Sequence, residues 1–436
     1  MRWPFAAVSA YNPASIPRAD FGGPGGLRQP PDLRLLHASG GTEKSAEKGA
    51  SLSRRRQILK ERGSMKVTIE RSALVKALGH VQSVVERRNT IPILSNVLLQ
   101  ADGGALMLTA TDLDIEISET APADVARKGS TTVSALTLYE IVRRLPEGAQ
   151  VRLDLQPDEG RLQVSAGRSQ FALAVLPEED FPTLTTSDLD VRFTMSTQDL
   201  ARLFDKARFA MSQEETRYYL NGVYLHAVND GSQKLLRAAA TDGHRLARLE
   251  APLPSGAEKM PGVIVPRKAV AEIGRLLADA DETVDISVSE TKIRFGFGAG
   301  HLTSKLIDGS FPDYERVIPK GNSNVLNAET KDFAQAVDRV ATISADRTRS
   351  IKMAIENDRL RLTVNNPEAG SALEELSVDY SGDPLEIGFN ARYLLDIAGQ
   401  IEGASMTFRL ADPASPSVVT DEDDPRALYV LMPLRV

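Results

Sequence analysis

Three carboxylates at alternate positions are the closest approach to a metal-binding cluster in this sequence. Asp112, Asp114 and Glu116 carry the hard oxygen ligands that Mg²⁺ and Ca²⁺ prefer. The residues between them, Leu113 and Ile115, are apolar, and such alternation is typical of a strand with one buried face. We therefore interpret the three carboxylates as the exposed edge of a half-buried strand, and we expect no metal there.

A second candidate for chemistry places an aspartate near a histidine in the segment 241–245. Asp242 and His244 could belong to a catalytic relay, but neither a serine nor a water-activating group is evident beside them. Gly243, which lies between them, is typical of a turn. We predict a turn without a catalytic role.

The sequence lacks the other patterns that catalysis would require. It contains no cysteine and no phosphate-binding P-loop, and the glycines of 296–300 do not have the spacing of a dinucleotide-binding fingerprint. The histidines show no metal-ligand spacing; they are His37, His80, His226, His244 and His301. We therefore expect a non-catalytic protein that needs neither a metal nor a cofactor.

The distribution of charge divides the chain at about residue 64. Residues 1–64 hold 11 basic and 5 acidic side chains, whereas residues 65–436 hold 41 and 54. The first segment is also rich in glycine and proline, and we interpret it as a disordered basic extension, with Met65 as the functional start. The acidic body argues against a protein whose whole surface binds nucleic acid. No apolar run approaches the ~18 residues of a membrane span, which excludes an integral membrane protein.

A repeat of about 125 residues begins at residue 65 and occurs three times. Thr111-Asp112 recurs as Thr241-Asp242, and Phe181-Pro182 recurs as Phe311-Pro312, both 130 positions on. The third copy is fainter, with Asn365-Asn366 at the place of Thr111-Asp112. The repeat predicts three domains, at 65–189, 190–321 and 322–436.

Each copy is itself double, because a helix followed by strands occurs twice within it. In the first copy the predicted strands are 97–101, 106–110, 151–155 and 171–176. Apolar residues at helical spacing predict two helices per copy. These stripes are Leu74, Ala77, Leu78, Val81, Val85; Leu138, Ile141, Val142, Leu145; Leu200, Leu203, Phe204, Ala207; Val270, Ile273, Leu277; Phe333, Ala336, Val337, Val340; and Leu394, Ile397, Ile401. The pattern predicts an α+β fold in which paired helices cover one side of antiparallel sheets.

Basic residues accompany all six apolar stripes. On one helix this would be an ordinary solvated face, but the same placement recurs in an acidic body and predicts a positive helix side. The cations are Lys76, Arg87, Arg88, Arg143, Arg144, Arg202, Lys206, Arg208, Arg267, Lys268, Arg275, Lys331, Arg339 and Arg392.

Several longer stretches closely resemble the bacterial sliding clamp family, the β subunit of DNA polymerase III. They are Met65–Thr68, Arg88 followed by 91–94, Arg217–Gly222, Thr241–Leu246, Phe311–Tyr314 and Tyr429–Val436. The resemblance covers 65–436 and implies three tandem clamp domains that close, as a head-to-tail dimer, into a ring with helices inside and sheets outside. Twelve helices about 10 Å wide would leave an opening on the order of 30 Å.

The resemblance also implies a function and partners. A ring of this kind encircles duplex DNA without reading its sequence and tethers the replicative polymerase, which confers processivity. The implied partners are the DNA polymerase III α subunit, the clamp-loader complex, and other polymerases or repair proteins that carry a clamp-binding motif. The implied location is the cytoplasm, at the replication fork.

Residues for three sites follow from matching the family to this sequence. For DNA contact the resemblance indicates Arg88, Tyr218 and Tyr219, to which we add the helix cations Arg208, Arg267 and Lys268. For the dimer seam it indicates Phe171 and Leu173 against Thr342 and Ile343. The implied peptide pocket comprises Leu220, Thr241, Gly243, His244, Arg245, Leu246, Pro312, Arg316, Val317, Tyr393, Val430, Met432, Pro433, Leu434 and Arg435.

The sequence departs from the family at three places. Thr342 is polar where the family often has an aliphatic residue, Pro416 falls in a family pocket strand, and 421–424 is acidic. Two other functions stay open: nucleotidyl transfer, which the missing carboxylate metal site argues against, and a peptide-binding scaffold with no role on DNA. Retention on circular but not linear DNA would separate the scaffold from a clamp.

Overall fold

A computed structural model describes residues 64–86, 90–156, 160–185, 189–231, 233–344 and 349–435. The predicted basic extension and Arg87–Arg88 therefore lie outside the described residues. Among those described, no helix is long and apolar enough to cross a membrane.

The described residues contain two α-helices for each predicted domain. Their bounds are α1 Arg71–Val81, α2 Ala135–Arg143, α3 Thr197–Asp205, α4 Arg267–Leu277, α5 Thr330–Ala341 and α6 Ala391–Ala398. The helices contact each other in pairs, α1 with α2, α3 with α4 and α5 with α6, as the doubled repeat predicts. Their apolar stripes are buried in the core, including Leu74, Leu200 and Phe333.

The strands of the described residues pair antiparallel throughout. Domain 1 contains β1 Met65–Glu70, β2 Asn96–Asp102, β3 Ala105–Thr111, β4 Ile115–Pro122, β5 Asp124–Arg127, β6 Gly129–Ser134, β7 Gln150–Gln156, β8 Arg161–Ala166 and β9 Ser169–Leu176. Domain 2 contains β10 Val191–Ser196, β11 Gly222–Asp230, β12 Gln233–Thr241, β13 Arg245–Pro252, β14 Val263–Pro266, β15 Thr283–Val288, β16 Lys292–Phe297 and β17 Gly300–Lys305. Domain 3 contains β18 Asn324–Glu329, β19 Ser350–Glu356, β20 Arg359–Asn366, β21 Gly370–Ser377, β22 Asp379–Ser381, β23 Leu385–Asn390, β24 Ser405–Leu410, β25 Ser417–Asp421 and β26 Ala427–Leu431.

The sheets continue from each domain into the next. Strand β4 of domain 1 pairs with β17 of domain 2, and Glu119 lies opposite Gly300. Strand β13 of domain 2 pairs with β26 of domain 3 in the same way, and Leu249 lies opposite Ala427. At each junction, the strand that follows the repeated turn therefore pairs with the last strand of the next domain.

The three sheets of the described residues end in β10 and β5, β14 and β22, and β21 and β23, and β9 is unpaired along most of one side. Of these strands, β21 and β9 hold the positions that are paired at the inner junctions. Strand β21 occupies in domain 3 the place of β4 and β13, yet it pairs only with β20. Strand β9, the last of domain 1, pairs with β8 and reaches β6 only at Val175 and Leu176. Both edges carry exposed apolar side chains: Phe171 is 36% exposed and Leu373 is 62% exposed.

The prediction of a half-buried strand at Asp112, Asp114 and Glu116 is wrong. The first two lie in the turn before β4, where Asp114 pairs with Lys305 at 3.1 Å. Glu116 is buried and accepts a hydrogen bond of 2.9 Å from the Leu184 amide. Burial raises its pKa. The strand lies between β3 and a strand of the next domain, with α1 against it, so its face is covered.

The junction of domains 2 and 3 contains a buried ion cluster. Lys206 is 7% exposed, and its ammonium lies 2.8 Å from both Asp424 and Glu402. Arg202 forms a second ion pair with Asp424 and donates to the Glu250 carbonyl at 2.9 Å. The prediction that Arg202 and Lys206 belong to a positive surface is therefore wrong, because the acidic segment 421–424 of domain 3 neutralises them.

Replacing Asp424 should strongly destabilise this junction. In the Asp424→Asn variant the buried Lys206 and the half-buried Arg202 lose their shared carboxylate, and we expect a loss of about 3 kcal/mol in the free energy of unfolding. Urea denaturation measures it. The neighbouring exposed Asp423 is the matched control, and Asp423→Asn should change stability by less than about 0.5 kcal/mol. Equal losses in the two variants would show that the cluster does not stabilise the junction.

The junction of domains 1 and 2 is held by a histidine. His80 Nδ1 lies 2.9 Å from Glu119 Oε2, and its Nε2 lies 3.1 Å from Asp279 Oδ2 of domain 2. The hydrogen bond with Glu119 raises the pKa of His80; burial opposes this and Asp279 adds to it. Lys76, Arg275 and the edge of the Phe297 ring are the other groups around the cluster.

Stability at this junction should therefore fall with rising pH. Because the folded-state pKa of His80 lies above its ordinary value of 6.5, its contribution is complete below about pH 6.5 and disappears as pH rises through the raised pKa. We expect His80→Gln to cost about 2 kcal/mol at pH 6 and less at pH 9. Urea unfolding across this range measures it. His301, whose pKa burial lowers to about 4, is the control: its neutral form is favoured by folding, so the cost of His301→Gln should rise, not fall, between about pH 6 and pH 9. A cost of His80→Gln that does not vary with pH would contradict this assignment.

Candidate functional site

The turn between β12 and β13 has the geometry that Gly243 predicted. Gly243 adopts a φ of 87°, which favours glycine. The Asp242 carboxylate accepts hydrogen bonds from the amides of His244 at 2.9 Å and Arg245 at 3.1 Å. Thr241 donates its hydroxyl to the Arg245 carbonyl at 2.7 Å. The side chain of Asp242 therefore shapes the turn.

Arg245 connects this turn to domain 3. Its guanidinium donates to Asp396 of α6 at 2.5 Å and to the Phe209 carbonyl at 2.7 Å, and it lies 4.3 Å from the centre of the Tyr393 ring. His244 stacks on the same tyrosine, with ring centres 6.2 Å apart. Because the Arg245 side chain is only 8% exposed, its role is structural: it fixes the turn against domain 3 and offers little surface to a ligand.

A partly exposed apolar cluster, termed the apolar groove below, lies over the paired strands β13 and β26. Leu246 is opposite Val430, and both are fully buried. Val317 and Met432 pack on them and keep part of their surface exposed. The predicted pocket residues therefore divide into a buried floor and a partly exposed lining. Leu220 is also fully buried.

One wall of the groove is the segment 311–318. The Tyr314 hydroxyl lies 2.9 Å from His226 Nε2, and Glu315 accepts from Arg237 at 2.6 Å. Phe311 stacks on Tyr224, with ring centres 4.9 Å apart. Burial, with Arg237 nearby, lowers the pKa of His226 to about 4. These contacts fix the position of the predicted residues Pro312, Arg316 and Val317. Their aromatic support was not predicted.

The opposite wall is the end of the chain. The Met432 amide donates to the His244 carbonyl at 2.9 Å, and the Leu434 amide donates to the Gly388 carbonyl at 2.8 Å. Pro433 is buried between them, while Arg435 is exposed. Backbone hydrogen bonds thus hold Met432 and Leu434 at the groove, so their side chains can be changed without losing the attachment. Pro416 precedes β25 and lies outside any strand.

Tyr218 and Tyr219 lie in a 3-10 segment, Glu215–Leu220, on the surface of domain 2. Tyr218 is 55% exposed, and the two rings meet edge to face at 5.9 Å. Gly309 approaches them so closely that an added Cβ would lie 3.2 Å from Tyr219 Cβ. The exposed ring is therefore held in place by its surroundings.

The three helix cations predicted to contact DNA are not equivalent. Arg208 is 55% exposed and pairs weakly with Asp205 at 3.5 Å. Arg267 donates to the Ser212 carbonyl, and both arginines border one polar groove with His244 and Tyr393. Lys268 instead pairs with Asp112 and with Glu86 of domain 1. Its ammonium is therefore part of the junction between domains 1 and 2.

The predicted seam residues lie on the unpaired edge of β9 or follow the helix that packs on β21. Phe171 and Leu173 are on β9, and Phe171 borders a hollow against α2 that includes Ile141 and Leu145. Thr342 and Ile343 follow α5. Leu373, on the free edge of β21, was not predicted, although the third copy of the repeat placed it at the position of β4.

Three repeated domains, joined by continuous sheets and with a partly exposed apolar cluster where the second meets the third, define a clamp-type protein. Models of the DNA polymerase III β subunit match its N-terminal domain at 65–185, its central domain at 194–313 and its C-terminal domain at 315–435. The chain therefore belongs to the β sliding clamp family, the DNA polymerase III β subunits.

Individual relatives agree with this assignment. The chain is 60% identical over 372 residues to the β sliding clamp of Caulobacter vibrioides, covering 85% of this chain and 100% of that protein. A crystal structure of the Caulobacter crescentus clamp matches with a TM-score of 0.84 at 61% identity, over 86% of this chain and 100% of that one. A Bartonella birtlesii sliding clamp bound to griselimycin matches with a TM-score of 0.83 at 50% identity, over 86% and 100%.

The assignment settles the class of function. Members of this family are non-catalytic processivity subunits of DNA polymerase III, which act as homodimers on DNA in replication and interact with polymerases. The alternatives of a nucleotidyl transferase and of a scaffold without a role on DNA therefore do not apply to the family.

Proposed function

We propose that two copies of this chain close head to tail into a ring around duplex DNA, through the unpaired edges of β9 and β21. The observation that supports this proposal is the strand pairing at the inner junctions. There, the strand after the repeated turn pairs with the last strand of the next domain: β4 with β17, and β13 with β26. Applied to domain 3, the rule pairs β21 with the last strand of the next domain. In a head-to-tail dimer that strand is β9 of the second copy.

This pairing would bury the apolar side chains on both edges. Phe171 and Leu173 on β9 would meet Leu373 on β21, with Ile343 beside them. Backbone groups that face water in one chain would complete a ladder, and unpaired edges otherwise favour unwanted association. The predicted seam residues thus fit one continuous interface. The domain bounds we propose are 65–189, 190–321 and 322–436.

For DNA contact we propose Tyr218, Tyr219, Arg208 and Arg267, with Arg88 as predicted from the resemblance. The exposed Tyr218 ring and the arginine side chains offer surface and charge to a phosphate backbone without reading bases. Lys268 is a weaker candidate than the sequence suggested, because Asp112 and Glu86 already neutralise it.

For partner binding we propose that the apolar groove takes a short peptide with leucine and phenylalanine anchors. Val317, Met432 and Leu434 offer an apolar lining over the buried pair Leu246 and Val430. Anchors of this kind bind in well-packed, desolvated pockets. The Bartonella relative binds griselimycin, and we propose that this chain binds it too. A place of action in the cytoplasm fits a replication subunit and is part of the proposal.

The mass in solution tests ring closure. Sedimentation equilibrium of the purified chain should give twice the chain mass of 47.3 kDa at micromolar concentration, with dissociation on dilution. A chain that stays monomeric at every concentration would refute the proposed ring.

A further inference from the structure

The first helix of each domain carries a cation at the same position. His80, Lys206 and Arg339 each lie nine residues after the first residue of α1, α3 and α5. The alignment of these helices is fixed independently, because the side chain before each one accepts a hydrogen bond from the third helical amide. The three cations are therefore equivalent members of the repeat.

At the two inner junctions the cation is buried between two carboxylates. His80 and Lys206 are each 7% exposed. One of the two carboxylates comes in both cases from the segment just after the second helix of the following domain. For His80 it is Asp279 at 3.1 Å, and for Lys206 it is Glu402 at 2.8 Å.

In domain 3 the arrangement is half complete. Arg339 pairs with Glu374, the fifth residue of β21, just as His80 pairs with Glu119, the fifth residue of β4. The Arg339 side chain is nevertheless 57% exposed. Among the described residues, Glu374 is its only ion-pair partner, and a carboxylate from a following domain, like those that contact His80 and Lys206, is not beside it.

The repeat identifies the residue that would supply it. Asp279 lies twelve residues after the start of α4, and Glu147 lies twelve residues after the start of α2. Glu147 is exposed, and it is the only acidic residue between α2 and β7. Resting on the proposed ring, in which domain 1 of the second copy follows domain 3, we propose that Arg339 pairs with Glu147 of the partner subunit.

This pair would give the seam the arrangement found at both inner junctions, in which a cation at the end of the first helix pairs with a carboxylate of the following domain. The seam differs from the inner junctions because its two sides belong to separate chains. The ion pair must therefore form when the ring closes and break when the ring opens. An ion pair that is partly exposed is screened by salt. We therefore expect the pair to make dimer stability depend on ionic strength.

A charge-swap experiment tests the pair. A chain with Glu147→Arg sets arginine against Arg339 in both seams of its homodimer. A chain with Arg339→Glu sets the new glutamate against both Glu147 of the partner subunit and its own Glu374. Each homodimer should have a dissociation constant roughly tenfold higher than the wild type in low salt. In the mixed dimer, one seam is wild type and the other has the two charges exchanged.

Native mass spectrometry of the mixture, with one chain carrying a mass tag, reads the outcome. Random pairing of equal amounts of the two chains would make half of all dimers mixed. We expect the mixed fraction to lie well above one half in low salt and to approach one half in high salt. A mixed fraction of one half would overturn the pair while leaving the ring intact, whereas a monomeric wild type would instead refute the ring. If Arg339→Glu does not fold, the dimer dissociation constant of Glu147→Arg is compared with that of a control variant, Glu290→Arg. Glu290 is an exposed glutamate in the β15–β16 turn. Equal dissociation constants in the two variants would overturn the pair.

Discussion

Replacing Phe171 and Leu173 by aspartate should separate the ring into single chains. Both lie on β9, whose outer edge is proposed to pair with β21 of a second copy, and each ring contains two such seams. Loss of about 2 kcal/mol per apolar side chain at both seams corresponds to at least a thousandfold rise in the dimer dissociation constant. Sedimentation equilibrium measures it, and retention on circular DNA should disappear with the dimer.

The control is another exposed leucine of the same domain. Leu113 is 38% exposed in the turn before β4, far along the chain from β9, and has a positive φ that aspartate tolerates. Leu113→Asp should leave dimerisation unchanged. If the Phe171 and Leu173 variant stays dimeric at concentrations where the wild type does, the seam lies elsewhere.

Met432→Asp combined with Leu434→Asp should abolish peptide binding and leave the dimer intact. The two carboxylates would lie in an apolar groove without a partner, at a cost that we expect to exceed 100-fold in affinity. Folding should survive, because backbone amides attach Met432 and Leu434 to His244 and Gly388. Fluorescence anisotropy with a labelled peptide ending in Leu-Phe measures the affinity, and griselimycin serves as a competitor.

Two controls make this result specific. The same peptide with both anchors changed to alanine should not bind the wild type. Arg435→Asp places one similar charge at an exposed position beside the groove and should change the affinity by less than about threefold. Unchanged peptide affinity in the Met432 and Leu434 variant would refute the pocket.

Much of the fold follows from the sequence because its signals are periodic. Apolar spacing located the six helices of the described residues, and Gly243 located the turn after Asp242, whereas the equivalent turn at Asp112 was taken for a strand. Strands β1, β5, β6 and β8 of domain 1 were not predicted. Periodic patterns of this kind are set within a single helix or strand. They can therefore be recognised without knowing which residues of another domain pack against that element.

The burial and ion pairing of several charged residues could not be predicted from the sequence, because contacts between domains determine them. Glu116 has the pattern of an exposed residue, yet a strand from domain 2 covers its surroundings. Lys206 has the pattern of a surface cation, but Asp424, more than 200 positions away, neutralises it. Arg245 supports the groove from inside for the same reason, because Asp396 reaches it from α6. In each case the partner is distant in sequence and has no motif of its own.

Retention on DNA tests the account most directly. The clamp is loaded by a clamp-loader complex onto a nicked circular plasmid, passed through a gel-filtration column, and then treated with an enzyme that cuts the plasmid once. We predict that the clamp stays with the circle and is released from the linear molecule, because a ring can slide off a free end. Equal retention on circular and linear DNA would show ordinary binding and would contradict the encircling ring.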